Sequence, residues 1–375
     1  MKIVVTADMH IHPYRQCSRD GGHDRLLDGL SVLRQSLDLA RREGAAWVMA
    51  GDFKMPKTFW PQSALTGAHE ILREYDDVPK LMVAGNHDAR GVGGSGLAPF
   101  KDVADVVETS GIVVLGDTMF ACAPWDADRD RVRKMVNDAR NVDEFTPLIA
   151  HAFLMGCALG PDDVRLNKGV PVEEYGDFPV AFFGDVHKGQ GLTRRPASWE
   201  TYDMDDEGPE ARDARLLMSK IRSKGPWCGE VFYPGSPYPQ NWGERNDGEK
   251  GVLVADLATG EIWFHIFTAP RFIHVEIVEG QLEEFLDQQE EGEYEQDFLR
   301  IVYSGFACPA LDHLRDIKCR SFQLIFRRPV PIESRVEIHA GMNRLEMLTR
   351  YVDARALPDG ADKARALDAG MRLMG

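Results

Sequence analysis

The stretch KLMVAGNHD, residues 80–88, sets the architecture. An apolar run from Leu81 to Ala84 passes directly into Gly85, Asn86, His87 and Asp88. So short a run, bounded by Gly and Asn, reads as a buried strand that ends in a polar turn. The same pattern recurs on either side. KIVVTA at 2–7 leads into Asp8 and His10, and AWVMA at 46–50 leads into Gly51 and Asp52. Strands at 147–150 and 179–183 lead into His151 and into Gly184, Asp185 and His187. Residues 112–115 and 119–122 read as further strands.

Helical signals lie between the early strands. Residues 24–43 carry Leu26, Leu30, Leu33, Leu37 and Ala40 at helical spacing, and Gly44 stops the run. A second helix is expected at 63–74. Alternating strands and helices imply an α/β layered fold. Open α/β sheets put their sites at the carboxyl ends of strands, so five polar clusters far apart in sequence are expected to converge.

Those clusters carry a particular chemistry. Asp8, His10, Asp52, Asn86, His151, Asp185 and His187 supply hard oxygens and imidazoles, the donors suited to divalent metals. One carboxylate has two oxygens, so Asp52 is able to bridge two ions. Two metals about 3.5–4 Å apart clamp a phosphate and activate a hydroxide for in-line attack on phosphorus. His87, beside Asn86, is positioned to protonate the leaving oxygen, and Asp88 to orient that imidazole. A single Asp-x-His is commonplace in surface turns. Five ordered clusters, each after an apolar run, have no comparable structural explanation. His12 and His23 lie near the first cluster, where a solvated loop accounts for them. Gly91, Gly93, Gly94 and Gly96 read as a connector, since the Lys and Ser/Thr of a phosphate-binding loop are missing.

Composition bounds the rest. At 375 residues, about two domains are expected. The net charge of -16 opposes autonomous DNA binding through Lys and Arg. The substrate is therefore small, or metals supply positive charge, or a partner holds the nucleic acid. Cys17, Cys122, Cys157, Cys228, Cys308 and Cys319 form no C-x-x-C pair and read as reduced thiols of a cytoplasmic protein. No stretch approaches the roughly 20 apolar residues of a membrane span. Residues 191–228 are polar and read as an insertion, and from about 250 strands predominate, as in a small separate β-containing domain. Residues 341–353 and 360–374 read as helices.

The ordered motifs resemble the calcineurin-like metallophosphoesterase superfamily. Within it, VFYPGSPYPQNWGE at 231–244 and KGVLVADL at 250–257 resemble the SbcD-like DNA double-strand-break repair nucleases. The resemblance implies a four-layer αββα sandwich over 1–265, an α+β capping domain at 266–335, and C-terminal helices at 336–375 that bind an SbcC-like ATPase subunit. It implies Asp8, His10, Asp52 and His187 around one ion, and Asp52, Asn86, His151 and Asp185 around the other. Mn is the expected metal, with Mg, Fe or Zn as alternatives, and a homodimer is expected. The activity implied is 3′-to-5′ double-strand exonuclease and single-strand endonuclease cleavage of DNA. The rival readings are a stand-alone phosphatase or cyclic-nucleotide phosphodiesterase, and a non-catalytic scaffold. Three features depart from the family: Asp185 stands where a His is usual, Pro239 stands near a missing Arg, and 191–228 is long.

Overall fold

The computed structural model describes residues 1–14, 23–55, 60–90, 94–125, 146–159, 164–165, 168–175, 178–193, 230–245, 249–288, 292–305, 317–328 and 344–354, with positions 130, 131, 134, 137, 138, 314, 363–365 and 367. Its first half alternates strand and helix as expected: β1 (Lys2–Thr6), α1 (His23–Glu43), β2 (Ala46–Ala50), α2 (Gln62–Glu74) and β3 (Lys80–Val83). Then come β4 (Asp105–Val107), β5 (Gly111–Leu115), β6 (Thr118–Ala123), β7 (Leu148–His151), β8 (Val180–Gly184), β9 (Gln190–Thr193) and β10 (Glu230–Tyr233). The C-terminal part carries β11 (Gly251–Asp256), β12 (Glu261–Ile266), β13 (Phe272–Val278), α3 (Leu282–Asp287), β14 (Phe298–Ser304), β15 (Ser321–Arg327) and α4 (Arg344–Ala354).

These strands build two six-stranded sheets, in the orders β12-β11-β1-β2-β3-β4 and β9-β10-β8-β7-β6-β5. In the first, β1 through β4 are parallel. In the second, β6, β7, β8 and β10 are parallel. Parallel strands buried on both faces read as continuous apolar runs, which is why KIVV, AWVMA and VAFF carry no alternation. The two sheets pack face to face. Ile3, Val5, Val48, Leu81 and Val83 of one meet Phe120, Cys122, Ile149, Phe182 and Phe232 of the other. On the outer face of the first sheet, Leu33 and Leu37 of α1 and Ala64, Ala68 and Leu72 of α2 pack on Val4, Trp47, Met49 and Met82. On the outer face of the second sheet, Leu154, Cys157 and Tyr175 cover Ala150, Ala181, Phe183 and Tyr233.

One expectation is corrected here. By strand pattern alone GVLVADL and EIWFHIF read as the start of a separate domain, whereas the resemblance keeps residues up to 265 in the first; β11 and β12 extend the first sheet. β11 runs antiparallel to β1, with Val4 opposite Val254. An unpaired β1 would expose a row of backbone donors and acceptors, and β11 closes that edge. The strands that do stand apart are β13, β14 and β15, a three-stranded sheet that is wholly parallel. Its own core comprises Ile277, Leu299, Ile301, Tyr303, Leu314 and Cys319.

That third sheet is fastened to the beginning of α1. Arg25 is fully buried, donates to the Pro239 carbonyl (2.7 Å) and pairs with Asp28 (2.9 Å). Its guanidinium lies over the rings of Phe272 and Phe298, the first residues of β13 and β14. Arg320 adds a bond to Asp28 (2.8 Å). Of the expected 191–228 insertion, residues 191–193 complete the edge strand β9 and 194–228 lie outside the described residues. Most of the 360–374 helix also lies outside them. No described helix is long and apolar enough to cross a membrane.

The close approach of the two sheets at β8 is testable. A Cβ on Gly184 would stand 2.0 Å from the Ala50 carbonyl oxygen, whereas one on Gly44, at the end of α1, would meet nothing within 4 Å. Gly184→Ala is expected to lower the unfolding free energy by about 3 kcal/mol or more. Gly44→Ala, strained only by its positive φ, is expected to lose about 1 kcal/mol. Urea unfolding of the two variants measures the difference.

Candidate metal centre

β1, β2, β3, β7 and β8 all point their carboxyl ends to one rim, and the register between them sets the geometry. Gly184 pairs with His151 across β7 and β8. Beyond the strand ends the backbone turns sharply. Asp8, His10, Asp52 and Asp185 take positive φ values of 52°, 46°, 59° and 90°. They are the only non-glycine residues with positive φ among those described. Each such conformation costs of order 1–3 kcal/mol and persists only where its surroundings enforce it. All four lie among the residues singled out from the sequence.

The side chains converge. Donor atoms of Asp8, His10 and His187 lie within 4.8 Å of one another, as do those of Asp8, Asp52 and His151, and those of His10, Asp52 and His87. The Nε2 atoms of His10 and His187 face each other at 3.1 Å. Asp52 directs one oxygen toward His10 Nε2 (3.7 Å) and the other toward His151 Nε2 (3.5 Å). Asp185 reaches His151 Nε2 at 3.7 Å, and its backbone N–H donates to the Asp8 carboxylate at 3.1 Å. Asn86 Oδ1 and His151 Nε2 are buried with no hydrogen-bond partner. Buried polar atoms are ordinarily satisfied, so the orphaned His151 Nε2 inside this cluster fits a bound cation. Six of the seven expected ligands, Asp8, His10, Asp52, His151, Asp185 and His187, come together here, and a donor set of carboxylates and imidazoles suits divalent metals.

Burial and charge tune these groups. Burial pushes the Asp8 carboxyl up to about 7, with His187 and His151 opposing and Asp52 adding to the rise. Burial pulls His10 down to about 3, which keeps it in the neutral form able to ligate. Burial opposes charge on His151 too, but Asp52, Asp8 and Asp185 outweigh it and hold the imidazole up to about 10. Protons thus occupy the centre in the metal-free protein, and metal binding must displace them. Backbone carbonyls fix the rings: His151 Nδ1–H donates to Ala50 O (2.9 Å) and His87 Nδ1–H donates to Met55 O (2.5 Å). Each ring then presents Nε2 to the centre. The side chains of His87, Asp185 and His187 are 24–31% exposed, while those of His10, Asp52 and His151 are 0–3% exposed. The centre is therefore open from one side.

The expectation for Asp88 is corrected. In place of orienting the His87 ring, which Met55 holds, the Asp88 carboxylate accepts from the backbone N–H groups of Asp52 (2.8 Å), Gly85 (2.9 Å), Lys54 (3.1 Å) and Phe53 (3.3 Å). It ties the turn after β3 to the turn after β2. Burial first, and Asp52 second, push its pKa up to about 6, and the amides of Gly85 and Lys54 oppose that rise. Lys54, almost fully buried, donates from Nζ to the His87 carbonyl (2.6 Å) and was not singled out from the sequence. Glu244 was missed as well. It takes the Nδ1–H of His187 at 2.9 Å, and the only prior signal was its place at the end of the quoted 231–244 stretch.

This fold and donor set define a metal-dependent phosphoesterase. The chain belongs to the calcineurin-like phosphoesterase family, whose sequence profile matches residues 1–228. Solved structures to which it is similar include a 5′-nucleotidase precursor from Thermus thermophilus, at 14% identity and TM-score 0.33, over 71% of this chain and 53% of that one. Another is the NAD nucleotidase of Haemophilus influenzae, at 13% identity and TM-score 0.35, over 80% of this chain and 57% of that one. The chain spans little more than half the length of either. Comparison with curated proteins returns no match.

Asp88 yields the test of this geometry. Asp88→Ala leaves buried amides without an acceptor, at about 1–3 kcal/mol for each. The variant is expected to lose about 3 kcal/mol or more of stability in urea unfolding, and Mn binding with it, because Asp52 and His87 lose their anchorage. A role confined to catalysis would leave the unfolding curve where it is.

Proposed function

We propose that this chain is the Mn-dependent DNA nuclease subunit of an SbcCD-like repair complex. It would act as a 3′-to-5′ double-strand exonuclease and single-strand endonuclease. The observation that carries the phosphodiesterase part is the split of the Asp52 carboxylate between His10 and His151, at 3.7 and 3.5 Å, inside a buried cluster of carboxylates and imidazoles. The nuclease part is supported by the extra parallel sheet fastened beside the site through Arg25, which a minimal phosphatase does not need. Asp8, His10, Asp52 and His187 would hold one ion, and Asp52, Asn86, His151 and Asp185 the other.

The two ions, when bound, supply Lewis-acid charge to the phosphate and lower the pKa of the attacking water. The protein does the remainder. Asp52 fixes the spacing of the two halves. The backbone N–H of His87 donates to Asp52 Oδ1 (2.8 Å), which places its imidazole over the same carboxylate. His87 Nε2 stands 4.0 Å from Asp52 Oδ2 on the open side, where a leaving oxygen would emerge. With Nδ1–H committed to Met55, His87 gives a proton to the leaving oxygen only from a doubly protonated ring, at Nε2. The acidic chain charge agrees with a division of labour, in which an SbcC-like ATPase partner grips the duplex and a second copy of this chain completes the assembly.

His87→Asn is expected to cut diester hydrolysis by at least about 100-fold while leaving bound metal unchanged. Rates on a 3′-end-labelled duplex and on bis-para-nitrophenyl phosphate, with metal content measured in parallel, check this. Loss of metal along with activity would make His87 a ligand rather than the acid. Wild-type hydrolysis of the small diester alone, persisting after the partner ATPase is supplied, would favour a phosphodiesterase over the nuclease.

A further inference from the structure

No step above uses Glu244, yet it is among the most heavily bonded buried side chains near the site. Only 7% exposed, it accepts from His187 Nδ1–H (2.9 Å), Ser236 Oγ (2.9 Å), Lys250 Nζ (3.0 Å) and Asn241 Nδ2 (3.4 Å). The same stretch also holds the His187 backbone. Its carbonyl accepts from the Ser236 N–H (3.0 Å) and from Lys250 Nζ (2.8 Å). His187 is therefore gripped at ring and main chain by residues 236–250.

Glu244 ends a short 3-10 turn, Trp242–Glu244, whose N-cap Asn241 accepts from Gly243 N–H (2.7 Å). The turn is loaded from outside. The Trp242 ring meets the Phe272 ring edge-on at 4.9 Å, and the Arg300 guanidinium lies over it at 3.9 Å. Phe272 in turn stacks on Phe298 at 4.7 Å. Phe272 begins β13, and Phe298 and Arg300 belong to β14. The third sheet thus bears on the turn that carries the partner of His187.

We infer that Glu244 is the positioning residue of His187, and that Trp242 is the link by which the third sheet holds it there. An imidazole with a free Nδ1 samples both tautomers and rotates about its ring bond. A carboxylate at Nδ1–H fixes the lone pair of Nε2 on the metal centre. The inference rests on the proposed reading of His187 as a ligand. A purely structural Glu244, present to neutralise Lys250, predicts something different. Glu244→Gln would then be as damaging as Glu244→Ala, because the charge is lost in both. A positioning Glu244 predicts rescue by Gln, whose side-chain oxygen still accepts from Nδ1–H.

The full chain is titrated with Mn, free ion being followed by electron paramagnetic resonance, for wild type and for His187→Ala, Glu244→Ala, Glu244→Gln and Trp242→Ala. Side-chain nitrogen NMR of the metal-free proteins, recorded at a pH where the His187 ring is neutral, reports its tautomer. His187→Ala is expected to lose one of two ions. Glu244→Ala is expected to bind that ion about 10–100-fold more weakly and to show mixed His187 tautomers. Glu244→Gln restores affinity to within about threefold, and Trp242→Ala weakens the same ion by about tenfold. If Glu244→Ala does not fold, the partly exposed Trp242→Ala decides. Loss of an ion in His187→Ala with unchanged titrations in Glu244→Ala and Trp242→Ala overturns the positioning role. A His187→Ala that still binds two ions overturns the ligand reading beneath it.

Discussion

The carboxylate of Asp52, set between two groups of imidazoles, is the interaction on which the rest of the molecule depends. A carboxylate that is almost fully buried persists only where positive charge and hydrogen bonds surround it. Burial works against its ionisation, yet His151, His10 and His87 hold it below the usual carboxylate range. The backbone is shaped around it. Its own residue takes a left-handed turn, Gly51 before it leaves room for His151, and Gly85 leaves room for the carboxylate itself. Asp88 takes its N–H, and the His87 backbone donates to its oxygen. Two sheets built from distant parts of the chain meet at this one side chain.

Much of that plan was legible. Each buried strand announced itself as a continuous apolar run, and each ended in a cluster whose chemistry made sense only in company. Sequence adjacency misled at Asp88, because a turn points successive side chains in different directions, and its carboxylate went to the backbone instead of the neighbouring ring. The left-handed conformations of Asp8, His10 and Asp185 had no signal, since non-glycine residues rarely adopt them. Glu244 lies 57 positions from His187, and no local pattern links the two. β11 and β12 looked like the start of something new because strand patterns do not say which sheet they join. Parallel pairing in the third sheet was hidden for the same reason.

The third sheet changes how the site is understood. Arg25, buried under Phe272 and Phe298, holds that sheet to α1. Trp242, under Arg300 and against Phe272, meets the same sheet. Trp242 belongs to the stretch that grips His187. A phosphoesterase core therefore carries an attachment that reaches one of its candidate ligands through a single turn. The acidic charge of the chain makes the same point electrostatically: the centre would hold phosphate through its metals, with little help from the surface.

The sharpest measurement is diffraction from Mn-soaked crystals with data collected at the metal edge. The account predicts two anomalous peaks about 3.5–4 Å apart, one on each side of the Asp52 carboxylate. No peak at Asp52, or a single ion coordinated elsewhere, would contradict it.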